Sequence, residues 1–147
     1  MNILGSESIG GVQAASTDTD VPSGPRAAAL QVAQHLEAHV FQWTNERELQ
    51  HGIGDALTPR FDVQAEVVLS RHDRPDFVVT VPPYRVAIEV KVAGARTAIL
   101  RQLSRYAAHA GVDALVLAAG LRTLLPGIPT EIHGKPVLVA HTRAPLR

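Results

Sequence analysis

The stretch Arg74-Pro75-Asp76-Phe77-Val78-Val79-Thr80-Val81-Pro82-Pro83-Tyr84-Arg85-Val86-Ala87-Ile88-Glu89-Val90-Lys91-Val92 decides the fold. It reads as two strands joined at Pro82-Pro83. A symmetric turn there pairs Val81 with Tyr84 and Val79 with Val86, and sets Asp76 opposite Glu89. Side chains alternate faces along a strand, so Phe77, Val79, Val81, Tyr84, Val86, Ile88, Val90 and Val92 share a wholly apolar or aromatic face that belongs to a core. The other face carries Asp76, Val78, Thr80, Arg85, Ala87, Glu89 and Lys91. Opposed residues in such a ladder lie roughly 4.5–5.5 Å apart, and like charges there repel. Two carboxylates held together, with a lysine two residues on, call for a cation.

Oxygen ligands without cysteine favour a hard ion, Mg²⁺ or Mn²⁺. Such an ion keeps positions for water and a phosphate oxygen, and can polarise phosphorus toward attack. Lys91, on the face of Glu89, can orient the attacking water or stabilise charge in the transition state. Against this stands a plainer reading. Glu89 and Lys91 form a surface ion pair at one end of a hairpin, as acid-x-Lys triplets often do on exposed strands.

Outward from the hairpin, Thr44-Asn45-Glu46-Arg47-Glu48-Leu49-Gln50 opens a helix with Leu49, Ile53, Ala56 and Leu57 on one face. A strand follows in Val63-Gln64-Ala65-Glu66-Val67-Val68-Leu69. After the triplet, Thr97 to Ala110 reads as a helix with Ile99, Leu103, Tyr106 and Ala107 as its apolar stripe, and with Gln102 and Tyr106 one turn apart. Ala114-Leu115-Val116-Leu117-Ala118 is the next strand.

In this order the chain resembles the PD-(D/E)xK nuclease superfamily, whose signature is spelled by Pro75-Asp76 and Glu89-Val90-Lys91. Glu46-Arg47-Glu48-Leu49 is similar to the corresponding helix of archaeal Holliday junction resolvases, and Gln102-x-x-x-Tyr106 to an extra motif of several branches. The resemblance covers Thr44 to Gly120, about half the chain; each motif is short and weak alone, and their joint order carries the signal. It implies a restriction endonuclease-like α/β fold, with a central mixed sheet of four to five strands flanked by helices. It implies Asp76, Glu89 and the Val90 carbonyl as metal ligands, Lys91 as catalytic lysine, and Glu46 as an accessory acid that reaches the metal through a water. Gln102 would position the lysine or the phosphate. Asn45 can instead cap the helix with Glu48 at its third position, leaving Glu46 to complement the helix dipole. Glu66 and Asp73 are further acids near the hairpin, read here as solvated.

A chain of 147 residues supports one domain, and 46% apolar residues with mean hydropathy near zero describe a soluble protein. No cysteine is present, which excludes disulfides and thiolate zinc sites and fits a cytoplasmic, reducing location. No stretch approaches the roughly 18 apolar residues of a membrane span, and no signal peptide is visible. Residues 1–24 read as a disordered Ser/Thr/Gly/Asp-rich tail, and 25–147 as the nuclease-like domain. Pro25 opens a helix over Ala27–Phe41, with Leu30, Ala33, Leu36 (or Glu37) and Val40 at helical spacing, placed beside the sheet or at a homodimer contact. Leu121 to Gly134 is broken by Pro and Gly, and Pro136–Ala140 reads as a last strand.

Net charge is zero, which sits awkwardly with DNA as partner. The distribution is uneven: −5 over residues 1–59, +3 over 60–110 and +2 over 111–147. Twelve of the fourteen cations are arginine, suited to bidentate phosphate contacts, although high-GC coding gives the same bias. Arg71, Arg74, Arg96, Arg101 and Arg105 are the candidate DNA-backbone contacts. His35 and His39, at i,i+4, could chelate zinc, but lack a third ligand and read as a solvated helix face. His72 reads as a loop histidine without a role. The function expected is a Mg²⁺-dependent DNA nuclease, first a structure-specific endonuclease of Holliday junction resolvase type. A restriction-like or repair nuclease relying on a partner remains open. So does a non-catalytic binding module, or an interaction protein whose acidic N-terminal half engages a basic partner.

Overall fold

The computed structural model describes residues 23–146; residues 1–22, which hold nearly all of the tail expected over 1–24, lie outside the described residues, as does residue 147. Helix α1 (Pro25–Glu37) begins with Pro25 in its first turn, where the missing N–H costs nothing. It packs through Ala28, Ala29, Val32, Ala33 and Leu36. The stripe expected from Leu30 and Val40 is corrected. Leu30 stands at the helix's outer margin, and Val40 lies beyond its end, 52% exposed. Small side chains win the contact because they let the helix approach the sheet closely. That buried face is covered by the chain's own strands, so a dimer contact would have to use the helix's polar face.

Helix α2 (Glu46–Leu57) turns Leu49, Ile53 and Leu57 inward. It is followed by β1 (Asp62–Ala65), β2 (Phe77–Val81) and β3 (Tyr84–Lys91). Strand β1 stops short of the run to Leu69 because Glu66 takes a left-handed backbone, φ 51°. The Glu66 N–H then donates to the Asp76 carbonyl at 2.9 Å, closing the loop onto the start of β2. Beyond β3 come α3 (Arg96–Ala107), β4 (Ala114–Ala119), a 3-10 turn at Arg122–Leu124, and the strands β5 (Glu131–Ile132) and β6 (Lys135–His141).

The strands form one mixed sheet in the order β1-β2-β3-β4-β6-β5. The hairpin register is the expected one, with Val81 on Tyr84 and Val79 on Val86. Strands β3, β4 and β6 run parallel, which places α3 as the crossover between β3 and β4. The sixth strand is β5, two residues inside the Pro/Gly-punctuated segment and too short to show a period.

Two cores lie on the two faces. On one, Phe77, Val79, Val86, Ile88 and Val90 pack under α1 and α2. On the other, Ala87, Leu115, Leu117 and Val137 pack under Ile99, Leu103, Tyr106 and Ala107 of α3. Strand β4 is buried along its whole length, as an unbroken apolar run in a doubly covered parallel strand should be. The alternate face of the hairpin, where Glu89 points, is therefore also interior. Among the described residues no helix is long and apolar enough to cross a membrane.

Candidate functional site

The site grows from the open end of the hairpin. Phe77 pairs with Ile88, so the ladder carries Asp76 toward Glu89, as the alternation predicts. Asp76 leans across, and its Oδ2 accepts the Val90 N–H at 2.7 Å. Glu89 lies under α3 with only 3% exposure. Its Oε1 meets Lys91 Nζ at 3.1 Å, while Oε2 has no partner. Three buried side-chain polar atoms among the described residues are unpaired, and only this one belongs to an ionisable group. A surface ion pair, the plainer reading, does not describe a carboxylate this deep.

Electrostatics follow from the burial. Loss of solvent pushes Glu89 up to about 7, the Asp76 carboxylate adds to the rise, and Lys91 opposes it. Asp76 is raised for the same first reason, with Glu46 and Glu66 adding repulsion and the Val90 N–H and Lys91 opposing. Four acids thus converge on one region with one lysine among them. Their arrangement does not close a cage: among the described residues no three His, Cys, Asp or Glu side chains stand in metal-holding geometry. Asp76 and Glu89 nonetheless suit a hard cation. Mg²⁺ binds through one or two carboxylates and keeps its waters, and the unpaired Glu89 Oε2 is a ready ligand.

Helix α2 separates its two candidate acids. Asn45 caps it, Oδ1 accepting the Glu48 N–H at 2.9 Å. Glu48 reaches back to the N–H and hydroxyl of Thr44, at 2.8 and 2.9 Å, a capping box displaced by one residue. Glu46 instead points to the hairpin, its Oε1 accepting the Val92 N–H at 3.3 Å.

Helix α3 contributes Gln102 and Tyr106. Gln102 donates to Tyr106 Oη at 2.8 Å, and Tyr106 donates to the Arg74 carbonyl at 3.3 Å. Gln102 therefore acts through the tyrosine and has no bond to Lys91. Tyr106, 1% exposed, is held well above the usual phenol range by burial and by the Glu89 carboxylate beside it. The spacing marks Tyr106 as an apolar stripe position and motif partner; its contact with the acid pair leaves no signature there.

The other candidates divide. Arg71, Arg74 and Arg101 are exposed, while the Arg96 guanidinium lies against Gly127, where a Cβ would come within 2.7 Å of it. Arg105 is engaged with Asp73, Nε to Oδ1 at 2.8 Å. Asp73 is thereby corrected from solvated to buried. It also takes His109 at 2.9 Å and the Ser70 hydroxyl at 3.1 Å, and the His109 bond is the largest of the effects that hold its carboxyl below the usual range. His109, just beyond the end of α3, carries no signal in the sequence beyond its i,i+4 spacing from Arg105. Glu66 is exposed at the rim. His35 and His39 are not a chelate: His35 Nε2 bonds the Ala56 carbonyl at 2.7 Å, joining α1 to α2, and His39 Nδ1 bonds the His35 carbonyl. His72 is exposed, as expected of a loop residue. Comparison of the chain with protein-family models, curated proteins and solved structures finds no match.

Proposed function

We propose that this chain is a Mg²⁺-dependent DNA nuclease of the PD-(D/E)xK kind, with Mn²⁺ able to substitute, acting on branched or otherwise irregular DNA as a structure-specific endonuclease in the cytoplasm. One observation carries the reading. Glu89 is a buried carboxylate with an unpaired oxygen, set beside Asp76 and bonded to Lys91 two residues on. A fold has no structural use for that repulsion, whereas a divalent cation relieves it.

Asp76, Glu89 and the Val90 carbonyl would hold the metal, with Glu46 close by from α2. When bound, the metal supplies charge that polarises the scissile phosphate. Lys91, held by Glu89 Oε1, presents a cation to the charge that develops on the phosphoryl oxygens. Water attacks phosphorus as the bond to the leaving oxygen breaks in line; the attacking water gives up a proton to solvent, and the leaving oxygen takes one from solvent. Gln102 and Tyr106 fix the Arg74 end of the hairpin, and so the setting of Asp76.

A neighbouring reading, a restriction-like or repair nuclease that borrows DNA affinity from a partner, is favoured by two features. The chain is neutral overall, and Arg105 is engaged with Asp73. Labelled four-way junction, flap, linear duplex and single-stranded DNA incubated with Mg²⁺ or Mn²⁺ test both. Metal-dependent cutting should fall at least about 100-fold in Lys91→Ala and Asp76→Ala, and the preferred substrate fixes the subclass. No cutting by the folded parent, alone or with added partner protein, would leave a binding module on a nuclease-like fold.

A further inference from the structure

A groove of about 410 Å³ runs between α2 and the edge strand β1. One end adjoins the acid cluster. Glu66, in the lining, donates its N–H to the Asp76 carbonyl and repels the Asp76 carboxylate, as does Glu46, which precedes the lining residue Arg47. From Arg47 to Thr58 it follows α2 for about 16 Å at 1.5 Å per residue. A phosphate held at Asp76 and Glu89 would bring its neighbouring nucleoside to the Glu66 end of this groove.

The lining says which part of a nucleic acid fits. Val63, Ala65 and Phe77, on the α2 side of the hairpin ladder, make an apolar floor. Gly54 keeps α2 close to it, since a Cβ there would press the Phe77 ring at 3.2 Å. Gln50 and His51 supply donors and acceptors at the rim. Charge runs against a phosphate tract: the lining holds two carboxylates, Asp55 and Glu66, to one guanidinium, Arg47. A neutral, flat, apolar ring with a polar edge suits that lining, and a polyanion does not. The space admits a nucleoside and is far too small for a duplex.

We infer that the α2–β1 groove is a base-binding subsite, receiving an unpaired nucleobase next to the scissile phosphate. The inference rests on the nuclease reading for the position of that phosphate, and it narrows the substrate to DNA with a flipped, looped or single-stranded nucleotide beside the cut. It also answers the neutral charge. Binding drawn from base contacts needs fewer cations than binding drawn from backbone phosphates.

Fluorescence anisotropy with the whole chain tests it, using a labelled duplex with one single-stranded arm against the same duplex fully paired. Ca²⁺ serves as the metal, since it prefers a looser geometry than Mg²⁺. The parent should bind the unpaired arm about tenfold or more tightly, and the preference should survive added salt. Ala65→Phe, which fills the floor from an exposed strand position, should erase the preference; Gln50→Ala, a milder change on the helix surface, should reduce it. Equal binding of the two DNAs by the parent, no binding of either, or an undiminished preference in both folded variants overturns the subsite. The nuclease reading fails separately. A parent that prefers the unpaired arm but never cuts with Mg²⁺ or Mn²⁺ keeps the groove and loses the enzyme. One that cuts fully paired duplex equally well keeps the enzyme and loses the groove.

Discussion

Asp73 and Asp76 stand three residues apart in one loop, and the fold treats them in opposite ways. Asp73 is surrounded by Arg105, His109 and Ser70, and its carboxyl is held below the ordinary range. Asp76 faces Glu89, Glu46 and Glu66 with only Lys91 and one backbone N–H in compensation, and both it and Glu89 are held above theirs. The first arrangement is a finished structural clamp, tying the loop before β2 to α3. The second is an electrostatic deficit, and the protein keeps it three residues from a working example of how to remove it. That contrast supports a role for the hairpin acids beyond stability.

The clamp should cost most to break. Asp73→Ala removes three side-chain hydrogen bonds and leaves Arg105 and His109 facing a vacancy, and is expected to destabilise the protein by about 3 kcal/mol. Denaturant melts without metal would measure it. Because the loop carries Asp76, cutting should weaken too, and a variant as stable as the parent would remove the clamp from the comparison.

Glu89→Gln should act in the other direction. Above pH 7 it replaces a buried carboxylate by a neutral isostere, and should stabilise the metal-free protein by about 2 kcal/mol while abolishing any rise in melting temperature with Mn²⁺. The pH dependence has a fixed sign. A carboxylate whose folded value is raised from 4.5 to about 7 favours folding below pH 4.5, and that contribution is lost as pH climbs through 7. Asp73, lowered from 3.8, favours folding above that value and loses its contribution as pH falls through its lower folded value. Thermal melts in chelator should therefore decline on both sides, with Glu89→Gln flattening the alkaline limb and Asp73→Asn the acid one. An alkaline limb unchanged in Glu89→Gln would mean that the deficit is not at Glu89.

Much of this was legible in the chain. Period-two alternation from Phe77 to Val92 gave the hairpin, its register and the proximity of Asp76 to Glu89. The helical spacing of Ile99, Leu103, Tyr106 and Ala107 gave the buried face of α3. What stayed hidden depends on tertiary placement. Asp73 reads as solvated in the sequence because its partners lie 32 and 36 residues away, on α3 and just beyond its end. Strand β1 looked longer because a left-handed residue at Glu66 leaves no trace in hydrophobic alternation. The α1 stripe is hard to see in the chain because alanine is only weakly apolar, although close packing against a sheet favours it.

The finest version of the comparison lies within α2, where Glu46 and Glu48 are two residues apart and either could have been the accessory acid. Asn45 at the cap and Glu48 on Thr44 complete a helix terminus, while Glu46 leaves the helix to accept from Val92 beside the acid pair. Glu48→Ala should therefore cost about 1 kcal/mol in stability, the ordinary worth of a cap, and leave metal-dependent cutting at the parental rate. Glu46→Ala should leave stability nearly unchanged, since its one bond is long, while reducing cutting and weakening the Mn²⁺-induced rise in melting temperature. The two variants are thus a matched pair on one surface, differing in whether the carboxylate serves the helix or the hairpin. If both lose stability and neither loses activity, α2 is scaffold alone, and the cluster reduces to Asp76, Glu89 and Lys91.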